Sequence, residues 1–465
     1  MSSRNNHLLV AIVFFILLTV YSLGVPFFWD GTFFSEIAVT IYDKGLLHVV
    51  GAGQPDTGGF PLYSFYLACV WKILGKSLSV SHFALLPFLL GILIQYYKLA
   101  KRFLDPALIP AALLLLVCEP VFITQSMLMG YDILMVYFFL LALNALLANK
   151  QILFSVAFTF LCMSSVRGLM LGVSLFLLEA FINKKIGISA LKKYIPAVVL
   201  VITWAVYHQQ KTGWFFFSPD RESTHEALLP FPMMLKQVGY MAWKVIDFGR
   251  VVLWLFVIAV GIFLYRKNKT TELLTIFKII FVPLIVLVLC MAPFANPAGH
   301  KYFIAVFLVL NIGVCYMLQA VKKSRNIVIF AFLLAMVSGN FIVYPERYGN
   351  GWDSSLKVIP YFGLRNEMDA FIAENKIPAS AVGTQYPLIA DKRFSHLTEE
   401  SFQYKNVWSG PIGLYDYFLF TNVINTDIPE QVEKVKKEWI LLKRLEAGSV
   451  YIELYKKPAE APVQH

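Results

Sequence analysis

The chain is 465 residues long, 58% hydrophobic and only 15% charged, against about 25% charged in an ordinary soluble domain. A soluble fold of this length has too little interior for that apolar surface, so the composition excludes a soluble globular protein and calls for a polytopic membrane protein. The formal charge of +11 sits in short basic clusters between apolar runs. That is the positive-inside pattern, and it argues against a nucleic-acid partner.

The apolar run from Leu8 to Val25 is long enough to cross a bilayer and long for a signal-peptide core, so it predicts a first helix over 8–27. It ends at Trp29-Asp30-Gly31, a carboxylate parked at a membrane surface. Residues 28–80 read as an outer juxtamembrane loop. It is rich in Gly, Asp and His up to Gly59 and then carries Pro61–Gly75, a Pro-led apolar helix too short to span. Ten more apolar helices follow, over about 81–98, 106–123, 131–148, 151–165, 168–182, 194–209, 251–265, 274–292, 302–320 and 326–343. A long outer loop at 210–250 separates the seventh helix from the eighth. With Pro61–Gly75 kept on the outer surface, Lys98, Lys101, Arg102, Lys150, Lys184, Lys185, Arg266, Lys267, Lys269, Lys322, Lys323 and Arg325 all fall inside. The expectation is therefore about eleven transmembrane helices, with the N-terminus cytoplasmic and the C-terminus outside.

Composition changes abruptly after residue 344. Residues 345–465 are charged and mixed, with helices at Leu364–Asn375 and Ile428–Lys437 and strands at Tyr415–Phe420 and Ser449–Lys456. The expected organisation is a transmembrane domain, 1–344, followed by a small soluble extracytoplasmic α/β domain, 345–465. Cys69, Cys118, Cys162, Cys290 and Cys315 all lie in apolar segments without metal-ligand spacing and read as packed thiols.

This threading gathers costly polar residues on the outer side: Asp30, Glu36, His48, Asp56, Glu119, Asp132, Arg167, Asp220, Arg221, His225, His300 and Lys301. A pocket built from them would have carboxylates at one end and cations at the other. That suits taking a proton from a hydroxyl while stabilising a leaving phosphate. Asp30 is the first candidate for a base, against a plain helix-end residue. Glu36 lies close to two helical turns beyond it, where the two could share a face. Asp132 opens a helix and reads equally as an N-cap. Glu119, before Pro120, reads as a loop residue. Arg167, between two apolar runs, is a snorkelling arginine or a phosphate contact. His300-Lys301 is a headgroup or substrate contact. Arg221 and His225 in the long loop, with Asp56, are weaker substrate-binding candidates. No Walker A, GxGxxG or HExxH sequence is present, so coupling to a nucleotide is not expected.

Several of these features together resemble the GT-C glycosyltransferases. A first helix ends in an acidic motif. An apolar Pro-Leu-Tyr helix (Phe60-Pro61-Leu62-Tyr63 … Gly75) follows, then a Ser-rich turn. The pattern continues in Glu119-Pro120 … Ser126 … Tyr131-Asp132-Ile133-Leu134 and in His300-Lys301-Tyr302-Phe303. The order of features is similar to the dolichyl-phosphate-mannose protein mannosyltransferases and the bacterial lipid A aminoarabinose transferases. The usual Asp-Glu pair is here Asp30-Gly31, and the usual His-Pro-Pro is Gly59-Phe60-Pro61. The resemblance implies a bacterial inner-membrane enzyme with a periplasmic C-terminal domain. It would transfer a sugar, with inversion, from a polyprenyl-phosphate donor to an extracytoplasmic acceptor. An acidic residue at the position of Asp30 would act as base or acceptor ligand. No cofactor is named, and a divalent metal stays open. A transporter or flippase, or a non-catalytic envelope scaffold, is the alternative.

Overall fold

The computed structural model describes residues 6–46, 48–49, 60–183, 187, 191–216, 227–267, 270–296, 298–321, 323–346, 348–407, 411–424 and 428–458. Asp56, Asp220, Arg221 and His225 lie outside the described residues.

Fifteen helices precede the C-terminal region among the described residues. They are α1 (Asn6–Tyr21), α2 (Asp30–Lys44), α3 (Leu62–Leu74), α4 (Leu78–Phe103), α5 (Ile109–Val117), α6 (Pro120–Met127), α7 (Asp132–Leu147), α8 (Gln151–Cys162), α9 (Val166–Asn183), α10 (Ile195–Thr212), α11 (Phe231–Ile246), α12 (Arg250–Lys267), α13 (Thr271–Met291), α14 (Ile304–Met317) and α15 (Arg325–Ser338). Each apolar run read from the sequence is helical, one of them in two pieces. Side-chain caps fix some of the starts: Ser77 accepts from the Val80 amide and Thr270 from the Leu273 amide.

Three departures bear on the site. The run 106–123 is not one helix. It breaks at Cys118–Glu119, and its halves meet at a 56° bend. Pro120 lacks the amide a continuous helix needs and biases Glu119 towards extended backbone, which it adopts (φ −69°, ψ 110°). The stretch after Asp30, expected to be loop, begins with helix α2. Its propensity is modest, and packing holds it: Phe34 and Tyr63 stack edge-on at 6.3 Å, and Ser64 Oγ donates to the Phe34 carbonyl at 2.8 Å. The stretch 210–250 contains helix α11, which meets α12 at 95°.

Apolar side chains such as Ile73, Ile152, Ile327 and Phe330 are largely exposed on these helices, as a hydrocarbon surround requires. Among the described residues three helices are long and apolar enough to cross a membrane, five if each bent pair counts as one span, and five more apolar helices are shorter. Length and composition thus support an integral membrane protein, while eleven crossings go beyond what they establish.

The C-terminal region holds α16 (Pro360–Glu374), α17 (Lys392–Ser395), α18 (Pro429–Glu438) and a five-stranded sheet. Its strands are β1 (Val382–Thr384), β2 (Lys405–Asn406), β3 (Tyr417–Thr421), β4 (Ile440–Ala447) and β5 (Val450–Lys456), in the order β2-β1-β3-β5-β4. The β1 strand runs parallel to β2 and β3, and β5 runs antiparallel to β3 and β4. The core of this region packs Tyr361, Met368, Leu419 and Leu454 together. It also takes in Phe28 and Leu128 from the helical part of the chain.

Candidate active site

Five ionisable side chains from distant parts of the chain converge. Asp30 is the first residue of α2 and Asp132 the first of α7, while Arg167 sits in the first turn of α9. Lys301 lies in the tight turn His300–Phe303 that leads into α14, and Asp353 in the turn Trp352–Ser354 beyond α15. Helix starts leave backbone amides unpaired and favour carboxylates, which explains why Asp30 and Asp132 open theirs.

Lys301 Nζ bridges two carboxylates, 2.9 Å from Asp30 and 2.7 Å from Asp353. Arg167 approaches Asp132 at 2.8 Å and stacks its guanidinium on Tyr302, 3.9 Å from the ring centre, with Tyr131 at 5.1 Å. Asp132 lies within Coulombic reach of Lys301, Asp30 and Asp353, so these are one group. The group holds three carboxyl groups and two cations. Asp132 is fully buried and Lys301 nearly so, whereas the Asp30 side chain is 33% exposed. Asp30 is therefore the open end. The Arg167 contact lies off the hydrogen-bond direction, and both Asp132 oxygens are without a hydrogen bond among the described residues. Burial favours the neutral form of Asp353, but Lys301 and the Ser354 hydroxyl outweigh it and hold its carboxyl below the usual carboxylate range.

Two further buried groups support this one. Arg250 donates to both oxygens of Glu119, at 2.5 and 3.3 Å, with both side chains fully buried. Glu119 also caps α6 by accepting from the Val121 amide. His300 is fully buried; its Nε2 lies 2.7 Å from Asp247 and its ring stacks on Phe248. Tyr344 also donates to Asp247, at 2.6 Å. Lys244 and Lys357 hold the strap 344–353 through the carbonyls of Gly349 and Asn350. Gly351 (φ +60°) is required there, because a Cβ would stand 2.5 Å from His300 Nδ1.

The structure brings Asp30, Asp132, Arg167 and Lys301 together, but not as separate acidic and cationic ends. The charges alternate, since a buried cation is costly without a carboxylate beside it. Glu36 stands apart, six residues and about 120° round α2 from Asp30. Its carboxyl is pushed up to about 7 by burial and by Asp391. His300 is a buried partner of Asp247. Glu119 does lie in the non-helical break between α5 and α6, but its side chain is a sealed ion-pair member, and His48 is exposed. Arg221, His225 and Asp56, as said, lie outside the described residues. Asp353, Tyr302 and Asp247 were not singled out from sequence. The signal for Asp353 was available: it stands in the Gly-rich exit from the last apolar run, as Asp30 stands at the exit from the first. No group of three or more His, Cys, Asp or Glu side chains is set to hold a metal ion among the described residues.

A partly exposed carboxylate beside a fixed ammonium can accept a proton from a hydroxyl. No protein-family model and no curated protein sequence matches the chain. Solved structures do match. ArnT from Cupriavidus metallidurans in the apo state aligns at TM-score 0.58 and 11% identity, covering 97% of this chain and 98% of that one. The same protein bound to undecaprenyl phosphate aligns at TM-score 0.55 and 10% identity, with the same coverage. At this identity what is shared is the fold, over nearly the whole length of both chains. The chain therefore has the fold of ArnT, an aminoarabinose transferase of the GT-C type.

Proposed function

We propose that this protein is a membrane glycosyltransferase. It moves a sugar, with inversion, from a polyprenyl-phosphate donor to an extracytoplasmic acceptor. The observation that carries the reading is the Asp30–Lys301–Asp353 bridge, with Asp30 as its most open member. Binding of undecaprenyl phosphate by a protein of the same fold supports the donor class.

In this reading Asp30 removes the proton of the acceptor hydroxyl as it attacks the anomeric carbon. The bond from sugar to phosphate breaks on the opposite side. Lys301 holds the Asp30 carboxylate in place and, with Arg167, places positive charge near the leaving phosphate. Both cations are already paired, so neither acts as a free anion clamp. Their value lies in being fixed before reaction. The chain is taken to cross the membrane about eleven times. Residues 1–344 form the catalytic domain and 345–465 an outer domain, periplasmic if the source is bacterial.

Release of polyprenyl phosphate from a polyprenyl-phosphate sugar by the purified protein tests the reading. Wild-type protein should release it in the presence of acceptor. Asp30→Asn should be slower by about two to four orders of magnitude, the range of lost general-base catalysis. A folded Asp30→Asn protein with near-normal release would remove Asp30 as the base, and wild-type protein that releases none would point to a transporter or scaffold instead.

A further inference from the structure

Six described non-glycine residues have positive φ, and three of them adjoin or closely precede buried or site carboxylates: Trp29 (φ 51°) before Asp30, Met129 (φ 52°) in the turn before Asp132, and Phe248 (φ 53°) after Asp247. Such backbone is strained and persists only where its surroundings impose it. At the first two, the residue just before the strained one, Phe28 or Leu128, is buried in the core of the C-terminal region. Phe28 packs on Tyr361 and Phe362, with ring centres 5.6 and 5.5 Å away.

Polar contacts reinforce this grip. Tyr386 donates its hydroxyl to the Trp29 carbonyl at 2.5 Å, and its ring stacks on Phe33. The Phe27 amide donates to the Ser395 carbonyl at 2.8 Å, and Ser35 Oγ donates to the Phe394 carbonyl at 2.6 Å. On the other turn, Gln125 Nε2 donates to the Asp353 carbonyl at 2.6 Å.

We propose that the C-terminal region is a positioning template for the site: it clamps the Trp29 and Met129 turns in strained conformations that aim Asp30 and Asp132 at Lys301 and Arg167, with Tyr386 and Asp353 as its positioning residues. The assignment rests on the glycosyl-transfer reading for its purpose, but the clamp itself can be measured without it. A region joined only by a linker would not share its hydrophobic core with the two turns that carry the carboxylates.

Tyr386→Phe in the full-length protein is the test, because the ring and its stacking survive while the hydroxyl is lost. Amide hydrogen exchange is read by mass spectrometry beside Tyr415→Phe, whose hydroxyl bonds the Asn406 carbonyl within the C-terminal region. Exchange across residues 29–34 should quicken about fivefold in Tyr386→Phe, the equivalent of one lost hydrogen bond, and stay unchanged in α13. Donor turnover should fall by a similar factor with the donor KM unchanged. Exchange at 29–34 no faster than in Tyr415→Phe, or a loss carried by the donor KM alone, overturns the template. Wild-type protein that turns over no donor would defeat the glycosyl-transfer reading and leave the exchange result standing.

Discussion

Glu119 and Asp132 lie at the two ends of the same short stretch, α6 and the turn after it, and both side chains are fully shielded. Their surroundings differ. Glu119 is saturated: two bonds from Arg250 and one from a backbone amide, with Arg250 also donating to the Asp247 carbonyl and stacked on Phe307. Asp132 has one poorly aligned cation, two oxygens without hydrogen bonds, and a chain of charges leading to the half-open Asp30. A buried pair that satisfies itself is structural, because nothing remains for a substrate to complete. An under-satisfied group with one exposed member is where a ligand changes the energy most.

The comparison can be broken at its closed end first. Arg250→Met leaves the Glu119 carboxylate buried and alone, and should cost about 3–5 kcal/mol of stability. Unfolding in detergent checks this, and Glu119→Leu combined with Arg250→Met should recover most of the loss. At the open end, Lys301→Ala leaves Asp30 and Asp353 facing each other. Turnover should fall about a hundredfold, with a smaller stability loss than Arg250→Met because Asp30 reaches water. Arg167→Lys keeps the charge but loses the planar stack on Tyr302. Donor turnover should fall about tenfold, read from steady-state rates at saturating donor.

The smallest effect concerns Glu36, which sequence reasoning placed with Asp30. Its carboxyl has an ordinary value of 4.5 and is pushed up to about 7 in the folded protein, first by burial and then by Asp391. Between these values the folded protein keeps a proton that the unfolded chain has lost. Glu36 should therefore weaken folding as pH rises through that window and have no effect below it. Glu36→Gln should flatten that part of the stability curve, as followed by thermal unfolding across the window. An unchanged slope would put Glu36 in freer water than the structure does.

Much of the helical part was legible because hydrocarbon demands long apolar runs, and each such run became a helix. Breaks and surface helices were harder. Pro120 announces the α5–α6 bend, but the sequence does not say whether a proline kinks a span or ends it. Helix α2 begins Asp30-Gly31-Thr32 and lacks the length and apolarity of a span; packing on α3 makes it. Of the sheet, β3 and β5 showed as short runs rich in aromatic and aliphatic residues. The β1 strand is three residues and β2 two, while β4 is an edge strand whose side chains mostly face solvent, so no burial pattern marked them. In the site, Asp30, Asp132, Arg167 and Lys301 were visible as costly residues at membrane edges. Their pairing was not, because Asp30 and Lys301, like Asp132 and Arg167, sit on different elements and meet only through the fold. Asp353 was hidden by the composition change after residue 344, which made its segment look like the start of a separate domain.

The most direct test measures turnover of a polyprenyl-phosphate sugar and unfolding stability together in Asp30→Asn and Arg250→Met. A crossed result is expected. Asp30→Asn should lose about two to four orders of magnitude in turnover with stability within about 1 kcal/mol of wild type. Arg250→Met should lose about 3–5 kcal/mol of stability and, where still folded, turn over within about tenfold of wild type. If Asp30→Asn keeps its turnover, or its activity falls only as its stability does, the half-open carboxylate is another structural charge and the distinction between the two groups fails.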